Sequence, residues 1–102
     1  MAAHLTGKVV VVFGSGSDAH RGVALALAQS GADVAVAGVV AEPADEARLH
    51  SIANEIWALG KRSTVATLPS DDAVSFAAAV SSVTDVLGSA DLVVRCEAVM
   101  NA

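Results

Sequence analysis

Residues 9 to 28 read VVVVFGSGSDAHRGVALALA: a run of five apolar residues, a break at Gly14 and Gly16, then apolar positions recurring at helical spacing. A strand that feeds a glycine turn and then a helix points to a crossover connection, because parallel strands need a helix-length excursion between them. The rest of the chain repeats the arrangement. Lys8 to Phe13, Asp33 to Gly38, Arg62 to Thr67 and Asp91 to Arg95 read as strands, each short and rich in valine or flanked by turn residues.

Three segments of helix length separate them. The first, about Ala19 to Ser30, stops at Gly31. The second starts after Pro43, places Leu49, Ile52, Ala53 and Ile56 on one face, and ends at Gly60. The third takes Ser70 as N-cap with Asp71 and Asp72 in its first turn, turns Val74, Ala77, Ala78 and Val83 inward, and closes at Gly88. This order predicts an α/β fold with a parallel sheet and right-handed crossovers. No linker, repeat or low-complexity stretch interrupts it, so residues 1-102 are expected to form one domain.

Composition narrows the function classes. Hydrophobic residues make up 54% of the 102, yet Phe13, Trp57 and Phe76 are the only aromatics, so the core is built of Val, Leu, Ile and Ala. Six Lys and Arg against eleven Asp and Glu, scattered, give no basic surface for a phosphate backbone, and no nucleic-acid partner is expected. Apolar runs such as Val9 to Phe13 and Val23 to Ala28 are too short to span a membrane or serve as a secretory signal. Cys96 stands alone, which excludes an internal disulfide and fits a cytoplasmic location.

The loop after the first strand carries the candidate chemistry. Gly14, Gly16, Ser17 and Ala19 match Gly-x-Gly-x-x-Ala, a variant of the pattern that lets backbone N–H groups approach a pyrophosphate at a helix N-terminus. By itself that pattern is weakly specific. The segments LTGKVVVVFGSG, ALALAQSGADVAV, ANEIWALGKRSTVATLPSDDAVSFAAAV and LGSADLVV together resemble the first half of a short-chain dehydrogenase/reductase, over nearly all of this chain.

The resemblance implies a three-layer, Rossmann-like half domain with strand order 3-2-1-4 and three helices, and NAD or NADP as ligand. It also exposes departures. On the family's Thr-Gly-x-x-x-Gly-x-Gly register, Phe13 stands at the Thr, Gly14 at the first glycine, Asp18 at the second and His20 at the third, so Gly16 reads as an extra glycine. A side chain at position 20 opposes close helix-to-strand approach. A carboxylate about 4 Å from a phosphate, at an effective dielectric near 20, repels it by roughly 4 kcal/mol. Arg21 would offset part of that. Two readings follow: Asp18 caps the helix in place of an anion and His20 is a partly exposed helix-start residue, or the loop still binds nucleotide weakly and His20 touches phosphate.

Other family positions also depart. Gly38, Val39 and Val40 offer neither the acidic nor the basic residue that separates NAD from NADP users, and Glu42 lies too far along. Thr67 replaces the Asp near the adenine, and Arg95, Cys96, Glu97 and Ala98 replace Asn-Asn-Ala-Gly. The catalytic Ser and Tyr-x-x-x-Lys of the family would lie beyond residue 102. The resemblance therefore implies a degenerate or truncated pseudoenzyme, not catalytic alone, with weak or no NAD(P) binding. Alternatives are a structural or regulatory subunit beside an active relative, or the N-terminal part of a complete oxidoreductase. A bare fourth strand would drive self-association or pairing with a related subunit.

The remaining candidates carry bland readings. His4, His20 and His50 share no metal-ligand spacing with Cys96, so no metal is expected, and Cys96 reads as a buried or half-buried thiol. Trp57 covers a sheet edge or marks an interface. Lys61 and Arg62 read as ordinary surface.

Overall fold

The computed structural model describes residues 4–96. Its elements are β1 (Val9–Phe13), α1 (Asp18–Gln29), β2 (Asp33–Val39), α2 (Pro43–Ala58), β3 (Ser63–Leu68), α3 (Ala73–Leu87) and β4 (Leu92–Arg95). All strand pairs are parallel and the order is β3-β2-β1-β4, the expected half of a doubly wound sheet.

Side chains alternate across the sheet and build a core on each face. Val10, Val12, Val34 and Val36 meet Ala24 and Ala28 of α1 and Leu49, Ile52 and Ile56 of α2. On the other face Val11, Phe13, Ala35 and Ala37 meet Ala79, Val83 and Leu87 of α3. Every residue of β1 is buried, because β1 is central and covered on both faces.

Two of the helices are capped one or two residues away from where their sequences suggest. Ser17, not Asp18, is the N-cap of α1: its Oγ accepts from the His20 N–H at 3.3 Å, and Asp18 follows as an exposed first-turn residue. Likewise Asp72, not Ser70, caps α3, accepting from the Ser75 N–H at 2.8 Å while the Ser70 hydroxyl donates to the Asp72 carboxylate. Those donors, Ser70 first, hold the Asp72 carboxyl below its ordinary value. At α2 the Asp45 carboxylate accepts the N–H groups of Ala41 and Glu42, each at 3.0 Å, and Pro43 occupies the first turn.

The apolar face of α2 is the expected one, but that of α3 is rotated. Val74 is 81% exposed and Ala77 and Ala78 are exposed, while Ala79, Val83 and Leu87 are buried with Phe76 and Val80 beside them. The first half of α3 is almost all small or apolar, so its inward face is set by the large Phe76 and Leu87, with Ser81, Ser82 and Asp85 turned to solvent. Arg62 does more than coat the surface. Its guanidinium donates to Asp33 at 3.0 Å and to the Leu87 carbonyl at 3.2 Å, tying β2, β3 and the end of α3 together.

Strand β4 differs from the others. Among the described residues β1 is the only strand beside it. Leu92 is 47% and Val93 42% exposed, although both sit beside fully buried valines of β1. Trp57, on α2, is also exposed.

Candidate functional site

The carboxyl ends of parallel strands, where the strand order reverses, are where open α/β sheets bind ligands. In this chain that point lies between β1 and β4. Gly14 follows β1 and donates its N–H to the Ala37 carbonyl at 3.0 Å, which draws the ends of β1 and β2 together. Gly38 makes that approach possible: a Cβ there would lie 2.3 Å from the Gly14 carbonyl oxygen.

His20 dominates the loop. It is fully buried, contrary to its expected place at a partly exposed helix start. Its Nδ1 accepts from the Gly16 N–H at 2.9 Å, and its Nε2 lies 2.9 Å from the Val12 carbonyl oxygen. Since Nδ1 accepts, Nε2 carries the proton and donates to Val12, so the ring is the neutral Nε2–H tautomer. The ring is a wedge between α1 and β1. A Cβ on Gly14 would meet its Cγ at 2.6 Å and its Nδ1 at 2.7 Å. At the register position where the resemblance places a glycine, this chain inserts an imidazole and satisfies both its nitrogens internally.

Gly16 is correspondingly not a spare glycine. It is buried with φ +82°, and a Cβ there would lie 2.7 Å from the Cβ of Arg48 on α2. Such backbone suits glycine because an L side chain at that φ is strained. Of the four candidate cofactor residues, Gly14 lines the cleft described below. Gly16 is spent on His20, Ser17 caps α1, and Ala19 is an exposed first-turn residue. Arg21 faces Glu55 of α2 in an ion pair rather than offsetting Asp18.

A cleft of about 220 Å³ opens beside this loop, lined by Phe13, Gly14, Ser15, Gly38, Val39, Leu68, Asp71 and Arg95. It is smaller than the roughly 300–1,000 Å³ of sites for drug-sized ligands. Across its mouth the Arg95 guanidinium donates to Asp71 at 2.7 Å. The Arg95 Cζ lies 5.7 Å from the centroid of the Phe76 ring, and that ring stacks on Phe13 at 4.4 Å. Thr67 is exposed and outside the cleft, whereas its neighbour Leu68 lines it. Cys96 is half-buried and its thiol donates to the Phe13 carbonyl at 3.2 Å. Glu97 and Ala98 lie outside the described residues.

Sequence reasoning missed the His20 wedge and the Phe13–Phe76–Arg95 stack. The first had a signal: residue 20 is three positions past the cap and faces the strand that α1 packs on. The second had none, since Phe13, Phe76 and Arg95 are far apart in sequence.

Comparison with known proteins agrees with this fold. A short chain dehydrogenase from Mycobacterium avium superposes with a TM-score of 0.84 at 24% identity, over 99% of this chain and 36% of that one. The fold is short-chain dehydrogenase/reductase-like. A blue fluorescent protein from a metagenomic library, solved in complex with NADPH, matches with a TM-score of 0.74 at 26% identity, over 87% of this chain and 35% of that one. A ribose-5-phosphate isomerase from Brucella melitensis matches at 0.73 and 31% identity, over 99% and 35%. This chain thus spans about a third of the length of these structures. Their differing descriptions illustrate that the half-sheet alone does not fix a reaction. No family model and no curated protein matches the sequence.

Among the described residues no group of three His, Cys, Asp or Glu could hold a metal ion. No helix among them is long and apolar enough to cross a membrane. A dinucleotide fits this loop poorly: the Gly16 amide already serves His20, an exposed Asp18 carboxylate stands in the first turn, and the adjoining cleft is small.

Proposed function

We propose that this chain is a degenerate or truncated relative of the short-chain dehydrogenases/reductases that transfers no hydride on its own and binds NAD or NADP weakly or not at all. The observation that carries the reading is His20. In the architecture that positions a pyrophosphate, the imidazole wedge already takes the Gly16 N–H and donates to Val12, so the loop is closed without an anion. Asp18 adds a charge of the wrong sign at the same helix end.

Calorimetric titration of the 102-residue chain with NADH and with NADPH tests this. No saturable heat below about 1 mM is expected for either, which corresponds to binding weaker than roughly 4 kcal/mol. A dissociation constant of about 100 µM or less for one of them, with turnover of any carbonyl or alcohol, overturns the reading.

A second reading is favoured by β4. An apolar strand with no strand beside its outer edge among the described residues supports a role as a structural or regulatory subunit, joined to another chain along that edge. The chain would then contribute a sheet surface rather than a reaction.

A further inference from the structure

We propose that His20 makes the first turn of α1 an acid-sensitive latch: a second proton on the imidazole expels the ring from its wedge, and residues 18–21 unwind from the body of the helix at Gly22. The inference rests on the reading that His20 closes the loop after β1, and adds how that closure is released.

The closed loop has no place for that proton. At 2.9 Å from the Gly16 nitrogen, Nδ1 accepts, and Nε2 already donates to the Val12 carbonyl. An imidazolium donates from both nitrogens, so protonating the ring in place turns the Gly16 contact into two facing N–H groups. It also leaves a charge at a position with no exposure, which is costly. Among the described residues, the titratable and charged groups around the ring come from its own helix, from α2 and from the end of β4. On α1, Asp18 is exposed and Arg21 is paired with Glu55. On α2, Arg48 lies against Gly16 and is paired with Asp45. After β4, the Cys96 Sγ lies 2.9 Å from the same Cβ position on Gly14 that meets the ring, and the thiol donates to the Phe13 carbonyl.

The release is confined to one turn. Of Asp18, Ala19, His20 and Arg21, His20 is the one buried residue, so this ring holds the turn against β1. The cap bond from the His20 N–H to Ser17 is long, at 3.3 Å. The Arg21–Glu55 ion pair joins the turn to α2, but both partners are partly exposed and it adds little. Gly22 follows, exposed, and a Cβ there would meet nothing within 4 Å. No contact requires glycine at that position, yet glycine weakens an exposed helix interior relative to alanine. Beyond it, buried Ala24 and Ala28 keep the rest of α1 on the sheet.

Nitrogen NMR of the ring and amide hydrogen exchange of the 102-residue chain, from about pH 7.5 to about pH 5, test the latch. An exposed imidazole takes up its second proton near pH 6.5. With the intrinsic exchange rate divided out, the opening constant of the Gly16 and Arg21 amides should rise about tenfold per pH unit below that value, roughly 30-fold by pH 5. In low urea those two amides should keep their opening constant while that of Ala28 rises, because unwinding one turn exposes little surface. His20→Gln, which stays neutral throughout, should abolish the pH dependence. Gly22→Ala should lower the opening constant about three- to fivefold. Should His20→Gln fail to fold, the wild-type titration and Gly22→Ala read the same latch.

Opening constants that stay level down to pH 5 overturn the proposal, and so does a pH dependence that survives in His20→Gln. A urea response at Arg21 as steep as that at Ala28, or no effect of Gly22→Ala, overturns the unwinding of a single turn. In all these outcomes a ring that accepts from Gly16 at neutral pH leaves the reading of the closed loop standing. A ring already released from Gly16 at neutral pH overturns both.

Discussion

Strands β1 and β4 are adjacent, parallel and nearly alike in composition, VVVVF against LVVR, yet one is the most buried element of the molecule and the other the most exposed strand. Burial here belongs to the neighbours rather than to the residues. Helices cover β1 on both faces and strands flank it on both edges, whereas among the described residues β4 has a strand, β1, on one edge only. The site follows the same division. On the covered side, between α1 and β1, His20 is buried with both ring nitrogens hydrogen-bonded. On the open side, Arg95 and Asp71 close a small cleft and an apolar edge is left facing solvent.

The largest test of this contrast is a charge in each strand. Val11→Asp would bury an unpaired carboxylate at a position with no exposure and should cost about 4 kcal/mol or more, most of the stability of a small domain. Circular dichroism should show the variant unfolded. Val93→Asp, in the registered partner of Val11, should shift monomer stability by no more than about 0.5 kcal/mol. Comparable losses in the two would erase the distinction.

Next in size is His20. Replacing it with Ala removes a buried ring and strands the Gly16 N–H and the Val12 carbonyl, a loss of about 2 to 4 kcal/mol in urea denaturation. If His20 were an exposed helix-start residue, the same change would be nearly neutral.

The smallest effect concerns the join between the two strands. The Asp91 carboxylate accepts from the Val9 N–H at 2.8 Å, and that bond, with Ser89 second, holds its carboxyl below the ordinary value. A depressed folded-state value means that the stabilisation is fully present above about pH 4, the ordinary carboxylate range, and is lost as pH falls through the lower folded value. The Val9 amide resonance should therefore move, and the start of β4 loosen, only in that acid window. Movement near neutral pH would assign the bond elsewhere.

Much of this was legible in the sequence because the signals were strong and local. The valine runs, the turns at Gly31, Gly60 and Gly88, and the single apolar stripe of α2 each had one reading, and together they set the strand order with the resemblance. The α3 face was misread because its first half, Ala73 to Val80, is almost all Ala and Val, and the polar side marked by Ser81, Ser82 and Asp85 lies only in its second half. Caps were misplaced by one or two residues where Ser and Asp stand side by side, at Ser17–Asp18 and Ser70–Asp72. His20 was hidden for a different reason: a histidine in a first turn reads as polar surface, and only the Val12 carbonyl of β1 and the Gly16 amide of the loop, placed by the fold, let it be buried.

The central claim is that the loop is closed by His20. Nitrogen NMR of the His20 ring and the Gly16 amide, with and without several millimolar NADPH at neutral pH, tests it most directly. The structure predicts an unprotonated Nδ1 accepting from Gly16, a protonated Nε2, and no change on adding NADPH. A ring that gives up Gly16 as the nucleotide is added, with saturable shifts from Gly14 to Arg21, would show that the site is open and contradict the account.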